Sequence, residues 1–108
     1  MNIKFSEDFR HAFKSLKKRH KSLEADFHGL LLSLIANPYQ GVELGDGIRK
    51  IRLAITSKSR GKRGGARVII RVRIVNEELQ MLYIYDKKDF DNISDSFLHD
   101  ILKRMNAI

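Results

Sequence analysis

Apolar residues recur at helical spacing near the start of the chain: Phe9, Phe13, Leu16, His20 and Leu23 stand four and three residues apart. That spacing stacks side chains on one helix face, so the stretch reads as an amphipathic helix. Ser6 is placed to cap it, with Glu7 and Asp8 in the first turn, where the helix dipole favours negative charge. Lys14, Lys17, Lys18 and Lys21 fall on the opposite, solvated face. A second helix follows, with Ser22 as its candidate cap and Phe27, Leu30, Leu31, Leu34 and Ile35 as its apolar positions. Asn37-Pro38 ends it, and the two helices form a hairpin.

From Gly41 to Gly47 the chain is Gly-rich and reads as turn, after which the period drops to two. Ile51, Leu53 and Ile55 alternate with Lys50, Arg52 and Ala54. After a loop, Val68, Ile70, Val72 and Ile74 alternate with Arg67, Ile69, Arg71 and Arg73. Asn76-Glu77-Glu78 turns the chain into a third strand, Leu79 to Asp86, with Leu82 and Ile84 facing one way and Met81, Tyr83 and Tyr85 the other. A last helix, capped by Ser94 or Asp95, presents Phe97, Leu98, Ile101, Leu102 and Met105 on one face. The order predicts an α+β fold: a helical hairpin packed on a small antiparallel sheet, with a C-terminal helix. The sheet has three strands, or four if Asn2 to Phe5 adds one. With no linker or repeat, residues 1–108 read as one domain.

Composition narrows the chemistry. The chain has no cysteine, which excludes disulfide frameworks, thiolate zinc sites and thiol nucleophiles and fits a reducing cytoplasm. Its start lacks the pattern of a secretion signal, and the longest apolar run, Gly29 to Ala36, is too short for a bilayer. A soluble cytoplasmic protein that engages no membrane is expected. The net charge of +8 on so small a domain points to a polyanionic partner. Between Arg49 and Arg73 the chain holds many lysines and arginines and not one Asp or Glu. A membrane binder would set such charge opposite a broad apolar helical face. Strand alternation and a Gly-rich loop favour nucleic acid instead.

The loop from Thr56 to Arg67 carries Lys58, Arg60, Lys62 and Arg63 among Gly61, Gly64 and Gly65. Glycine permits positive φ and close backbone approach, and successive N–H groups can cradle a phosphate. A solvated hairpin turn would look the same in composition. No P-loop is present, because neither its motif nor its following helix occurs. Arg67, Arg71 and Arg73 share strand parity, as do Tyr83, Tyr85 and Lys87 on the next strand. Arginines beside tyrosines suit single-stranded RNA, guanidinium forking onto phosphates and rings stacking on bases. Tyrosine stems packed beneath arginines would give the same pattern. His11, His20, His28 and His99 show no ligand spacing, so no metal or cofactor is expected.

Three runs carry a family resemblance: Lys50-Ile-Arg-Leu-Ala, Gly61-Lys-Arg-Gly-Gly-Ala-Arg-Val-Ile, and Leu82-Tyr-Ile-Tyr-Asp-Lys-Lys-Asp with Asn92-Ile-Ser. With them the chain resembles the HigB-like branch of the RelE/ParE toxins over nearly its whole length. The resemblance implies a RelE-like fold and the toxin of a type II toxin-antitoxin system. It also implies a ribosome-dependent mRNA endoribonuclease that inhibits translation, held by a cognate antitoxin of helix-turn-helix type that alone engages operator DNA. By position it would make Arg67, Lys87 and Lys88 catalytic. Lys58, Arg60, Lys62, Arg63, Arg71, Arg73, Tyr83 and Tyr85 would contact RNA. Some relatives carry a tyrosine or histidine beyond the last strand, where this chain reads Asp89-Phe-Asp-Asn-Ile-Ser. A ParE-like inhibitor of DNA gyrase and a non-catalytic RNA-binding module are the alternatives that the same fold allows.

Overall fold

Ser6 accepts the Phe9 N–H on its Oγ at 2.8 Å, and α1 (Glu7–Arg19) starts there as the sequence predicts. The structure, a computed structural model, describes residues 1–57 and 64–106. The helix stops before the apolar spacing does. His20 is its C-cap in extended backbone, and Leu23 opens α2 (Leu23–Ala36), so one apolar stripe is shared between two helices. Ser22 does not cap α2 with its side chain: its Oγ donates to Asp26 Oδ2 at 2.7 Å and accepts the Ser57 N–H at 2.8 Å. Asn37 is the C-cap of α2, as expected.

The strands are β1 (Asn2–Phe5), β2 (Val42–Gly45), β3 (Ile48–Leu53), β4 (Ala66–Arg73) and β5 (Glu78–Asp86), followed by α3 (Asp95–Asn106). They form one sheet in the order β1-β5-β4-β3-β2, with β1 parallel to β5 and every other pair antiparallel. The sheet therefore has five strands, more than expected, and is mixed. The hairpin of helices carries the chain from β1 at one edge across a face to β2 at the other. β2 escaped the period-two pattern because all four of its residues are exposed and Gly41, Gly45 and Gly47 surround it with positive φ. Ile74, expected on the apolar face, lies past the end of β4 and is 65% exposed.

Helices cover both faces. Phe9, Leu16, Leu23, Phe27 and Leu34 of α1 and α2 close over Ile51, Val68, Ile70, Met81 and Ile84. On the other face Leu98 and Ile101 of α3 close over Ile69, Leu82 and Tyr85. The β4–β5 ladder explains how neighbours in β5 reach different cores. Ile69 and Ile70 pair with Tyr83 and Met81, passing over Leu82, so a bulge resets the alternation there. Met81 thus sides with Ile84, and Leu82 with Tyr83 and Tyr85, reversing the expected grouping. Ser6 fastens the bulge: its Oγ–H donates to the Leu82 carbonyl at 2.6 Å and its N–H to that of Met81 at 3.0 Å. Among the described residues, no helix is long and apolar enough to cross a membrane.

Candidate nucleic-acid interface

Arg67 sits in β4 directly across from Arg52 of β3 on one side and Tyr85 of β5 on the other. The turn that delivers it depends on Gly65, whose φ is +83° and whose hypothetical Cβ would stand 2.5 Å from the Leu53 carbonyl oxygen. Only 6% of Arg67 is exposed, and its Nη1 donates to the Ala66 carbonyl at 3.2 Å. Among the described residues, no carboxylate forms an ion pair with it. Burial, and then the repulsion of Arg52, lower its pKa from the ordinary arginine range, although a guanidinium stays charged. Two cations face each other at a partly dry position, an arrangement suited to an anion laid between them.

The chain returns to the same place at the end of β5. Asp86 is 2% exposed, and its Oδ1 accepts the Lys88 N–H at 2.9 Å. Its Oδ2 faces His20 Nε2 at 3.1 Å and an Arg19 guanidinium nitrogen at 3.6 Å, so the C-terminal end of α1 braces the turn. The Lys87 N–H donates to the Gly65 carbonyl at 3.1 Å, stitching this turn to the one that launches Arg67. Lys87 and Lys88 are exposed. The three residues with expected catalytic roles, Arg67, Lys87 and Lys88, therefore come from adjoining strand ends.

Other expected residues are placed differently. Arg71 and Arg73 share the face of Arg67 but lie four and six residues further along β4, roughly 13 and 20 Å away at strand rise. Arg71 Nε donates to the Asp46 carbonyl at 3.1 Å, and Arg73 stands across from Glu78 in the β4–β5 ladder. They belong to the far end of the sheet, with the α3 core between. Neither tyrosine forms an open stacking platform, because α3 docks its apolar face on them. Tyr85 is 3% exposed, packs edge-on against Phe90 at 6.0 Å, and among the described residues has no hydrogen-bond partner for its hydroxyl. Tyr83 is half-buried, with its ring T-shaped on Phe97 at 5.0 Å. Burial raises the pKa of both hydroxyls. Lys58, Arg60, Lys62 and Arg63, and Gly61 with them, lie outside the described residues. The residues just before them are pinned: Asp26 accepts the Thr56 N–H and Oγ1–H at 2.9 and 3.0 Å.

Two cations were missed as site residues. Arg52 is exposed beside Arg67, and Lys50, opposite Ile69, reaches Asn92 Oδ1 at 3.2 Å. Lys50 and Asn92 flank a cavity of about 230 Å³ that also touches Tyr85. Their strand parity was readable, but their register against β4 was not. Of the histidines, His20 is engaged by Asp86, while His11, His28 and His99 are exposed. Among the described residues, no group of three or more His, Asp or Glu side chains is arranged to hold a metal ion.

A family model described as the RelE toxin of the RelE / RelB toxin-antitoxin system matches residues 10–107. A solved structure of the E. coli toxin RelE, a double arginine-to-alanine mutant in the free state, superposes with a TM-score of 0.60. Identity is 13% over 96% of this chain and 96% of that one, so the likeness is one of fold. A search of curated proteins finds no match.

Proposed function

The chain belongs to the RelE toxin family and is the toxin of a toxin-antitoxin system, and from that premise we propose that it cuts mRNA on translating ribosomes. The observation that carries the proposal is the juxtaposition of Arg67 and Arg52 with the Lys87-Lys88 turn. In this reading the 2′-OH of one nucleotide attacks the adjacent phosphorus, and the P–O5′ bond breaks. A 2′,3′-cyclic phosphate and a free 5′-OH result, the proton leaving the 2′-oxygen and another reaching the 5′-oxygen. The nucleophile belongs to the substrate, so the protein's task is alignment and charge. Arg67 forks onto the nonbridging oxygens, Arg52 shares the added charge of the phosphorane, and Lys87 and Lys88 meet the strand from the other side. These lysines and arginines supply the positive charge, so no metal is required.

The placement in the HigB-like branch rests on the Gly64-Gly65-Ala66-Arg67 and Tyr85-Asp86-Lys87 elements. It carries with it a helix-turn-helix antitoxin, contact with operator DNA only through that antitoxin, and action in the cytoplasm. The test maps new RNA 5′ ends in a translation extract for the parent, Arg67→Ala and Arg67→Lys, beside a gyrase supercoiling assay. Parent-specific ends, lost in Arg67→Ala and little recovered in Arg67→Lys, are expected, because lysine lacks the planar fork. Inhibited gyrase with no new ends would replace this reading by the ParE-like one. A folded Arg67→Ala protein that cuts at the parental rate removes Arg67 from the site.

A further inference from the structure

We propose that the outer face of the α1–α2 hairpin docks an acidic amphipathic helix of the cognate antitoxin, an inference that rests on the toxin reading above. Phe5, Phe9, Phe13 and Phe27 form one aromatic cluster, with ring centroids 5.3 to 6.3 Å apart. They line a surface groove of about 340 Å³ between the helices, with Leu31, His28 and the Lys17-paired Glu24 on the α2 wall and Arg10 on the α1 wall. The apolar surface does not stop at the groove. Leu32 and Ile35 of α2 are 57% and 52% exposed, and from Ala25 to Ala36 no exposed residue carries a formal charge. A helix meant only for water mixes charge into its outer face. The outer face of α1 does so, with Arg10, His11, Lys14, Lys17 and Lys18.

Charge decides what fits. Arg10, Lys14 and Lys17 stand four and three residues apart, so they form one cationic rail along α1. Lys17 already holds Glu24 across the helix pair at 3.0 Å, which shows the reach of this rail toward α2. Arg10 sits 5.4 Å above the Phe5 ring, and among the described residues neither Arg10 nor Lys14 has a carboxylate partner. An occupant must therefore offer apolar side chains to Phe27, Leu31, Leu32 and Ile35 and carboxylates to Arg10 and Lys14. RNA satisfies only the second demand. A second copy would bring another rail, and another +8, against the first. An acidic amphipathic helix satisfies both, in the helix-in-groove mode.

The test measures the affinity of the antitoxin encoded by the neighbouring gene for the full chain, by calorimetry, with thermal unfolding and RNA cleavage of each variant in parallel. Leu32→Glu should weaken binding roughly tenfold or more, as loss of a buried anchor does, while unfolding and cleavage stay parental. Lys14→Glu should weaken it less and flatten its salt dependence. Val75→Glu, at a residue 96% exposed elsewhere on the molecule, should leave it unchanged. Should Leu32→Glu lose stability, Ile35→Ser replaces it with the same expectation. Parental affinity in the α2 variants overturns the docking surface and leaves the toxin reading standing. A parent chain that binds no antitoxin overturns both. A parent that sediments as a dimer, split by Leu32→Glu, assigns the face to a second copy and overturns the proposal.

Discussion

Arg67 carries two opposed demands. As a buried cation opposite Arg52 it costs folding energy, and in the proposed function it is the fork that grips the phosphate. Replacing it with Met, which keeps the apolar stem and removes the charge, is expected to raise the urea midpoint while cutting RNA cleavage roughly 100- to 1000-fold. A lowered midpoint would mean that the guanidinium holds the fold together through contacts of its own. The position was legible in the sequence, because a glycine pair followed by an arginine at a strand start is a local signal. The burial of Tyr85 was not, since strand parity tells which face a side chain takes and not which helix will close over it. Arg71 and Arg73 show the same limit: parity put them on the face of Arg67, but distance along β4 removes them from its neighbourhood.

Two polar clasps determine how the elements meet. Ser6 caps α1 and at the same time satisfies the Leu82 carbonyl at the β5 bulge. Ser6→Ala leaves a buried donor and a buried acceptor unmet, and should destabilise the protein by about 1–3 kcal/mol in urea unfolding. Asp26 is the second clasp. Burial works against its charge, but hydrogen bonds from Ser22 and Thr56 outweigh that and hold its carboxyl below the ordinary 3.8. The folded state therefore binds the Asp26 proton more weakly than the unfolded chain does. Stability from this group is fully present above the ordinary carboxylate value and is lost as pH falls through the lower folded one. Urea midpoints from about pH 5 to about pH 2 should fall less steeply in Asp26→Asn. An identical slope would remove Asp26 from the acid response. Helix caps and alternating strands were readable because they repeat locally, as at Ser6, Asn37 and Val68 to Val72. The bulge at Leu82 and the edge strand β2 were not: the first inserts one residue without changing composition, and the second is exposed throughout.

At the scale of the molecule, the strand ends gather Arg52, Arg67, Lys87 and Lys88 at one end of the sheet and leave Arg73 at the other. Binding to RNA should weaken steeply with salt as counterions are released, and Lys88→Ala should reduce the slope of log affinity against log salt by about one. Arg73→Ala should leave that slope nearly unchanged. Equal effects of the two variants would mean that diffuse net charge, and not the strand-end cluster, draws the polyanion. The parallel pairing of β1 with β5 has a consequence in time. Asn2 to Phe5 align with Glu78 to Met81 and, among the described residues, with no other strand, so during synthesis β1 waits for β5. The sheet closes only once β5 has left the exit tunnel, since contacts of such sequence separation form late. Until then Arg67 has no Tyr85 across from it and no lysine turn beside it, so the strand-end cluster of cations exists only after β5 has been made.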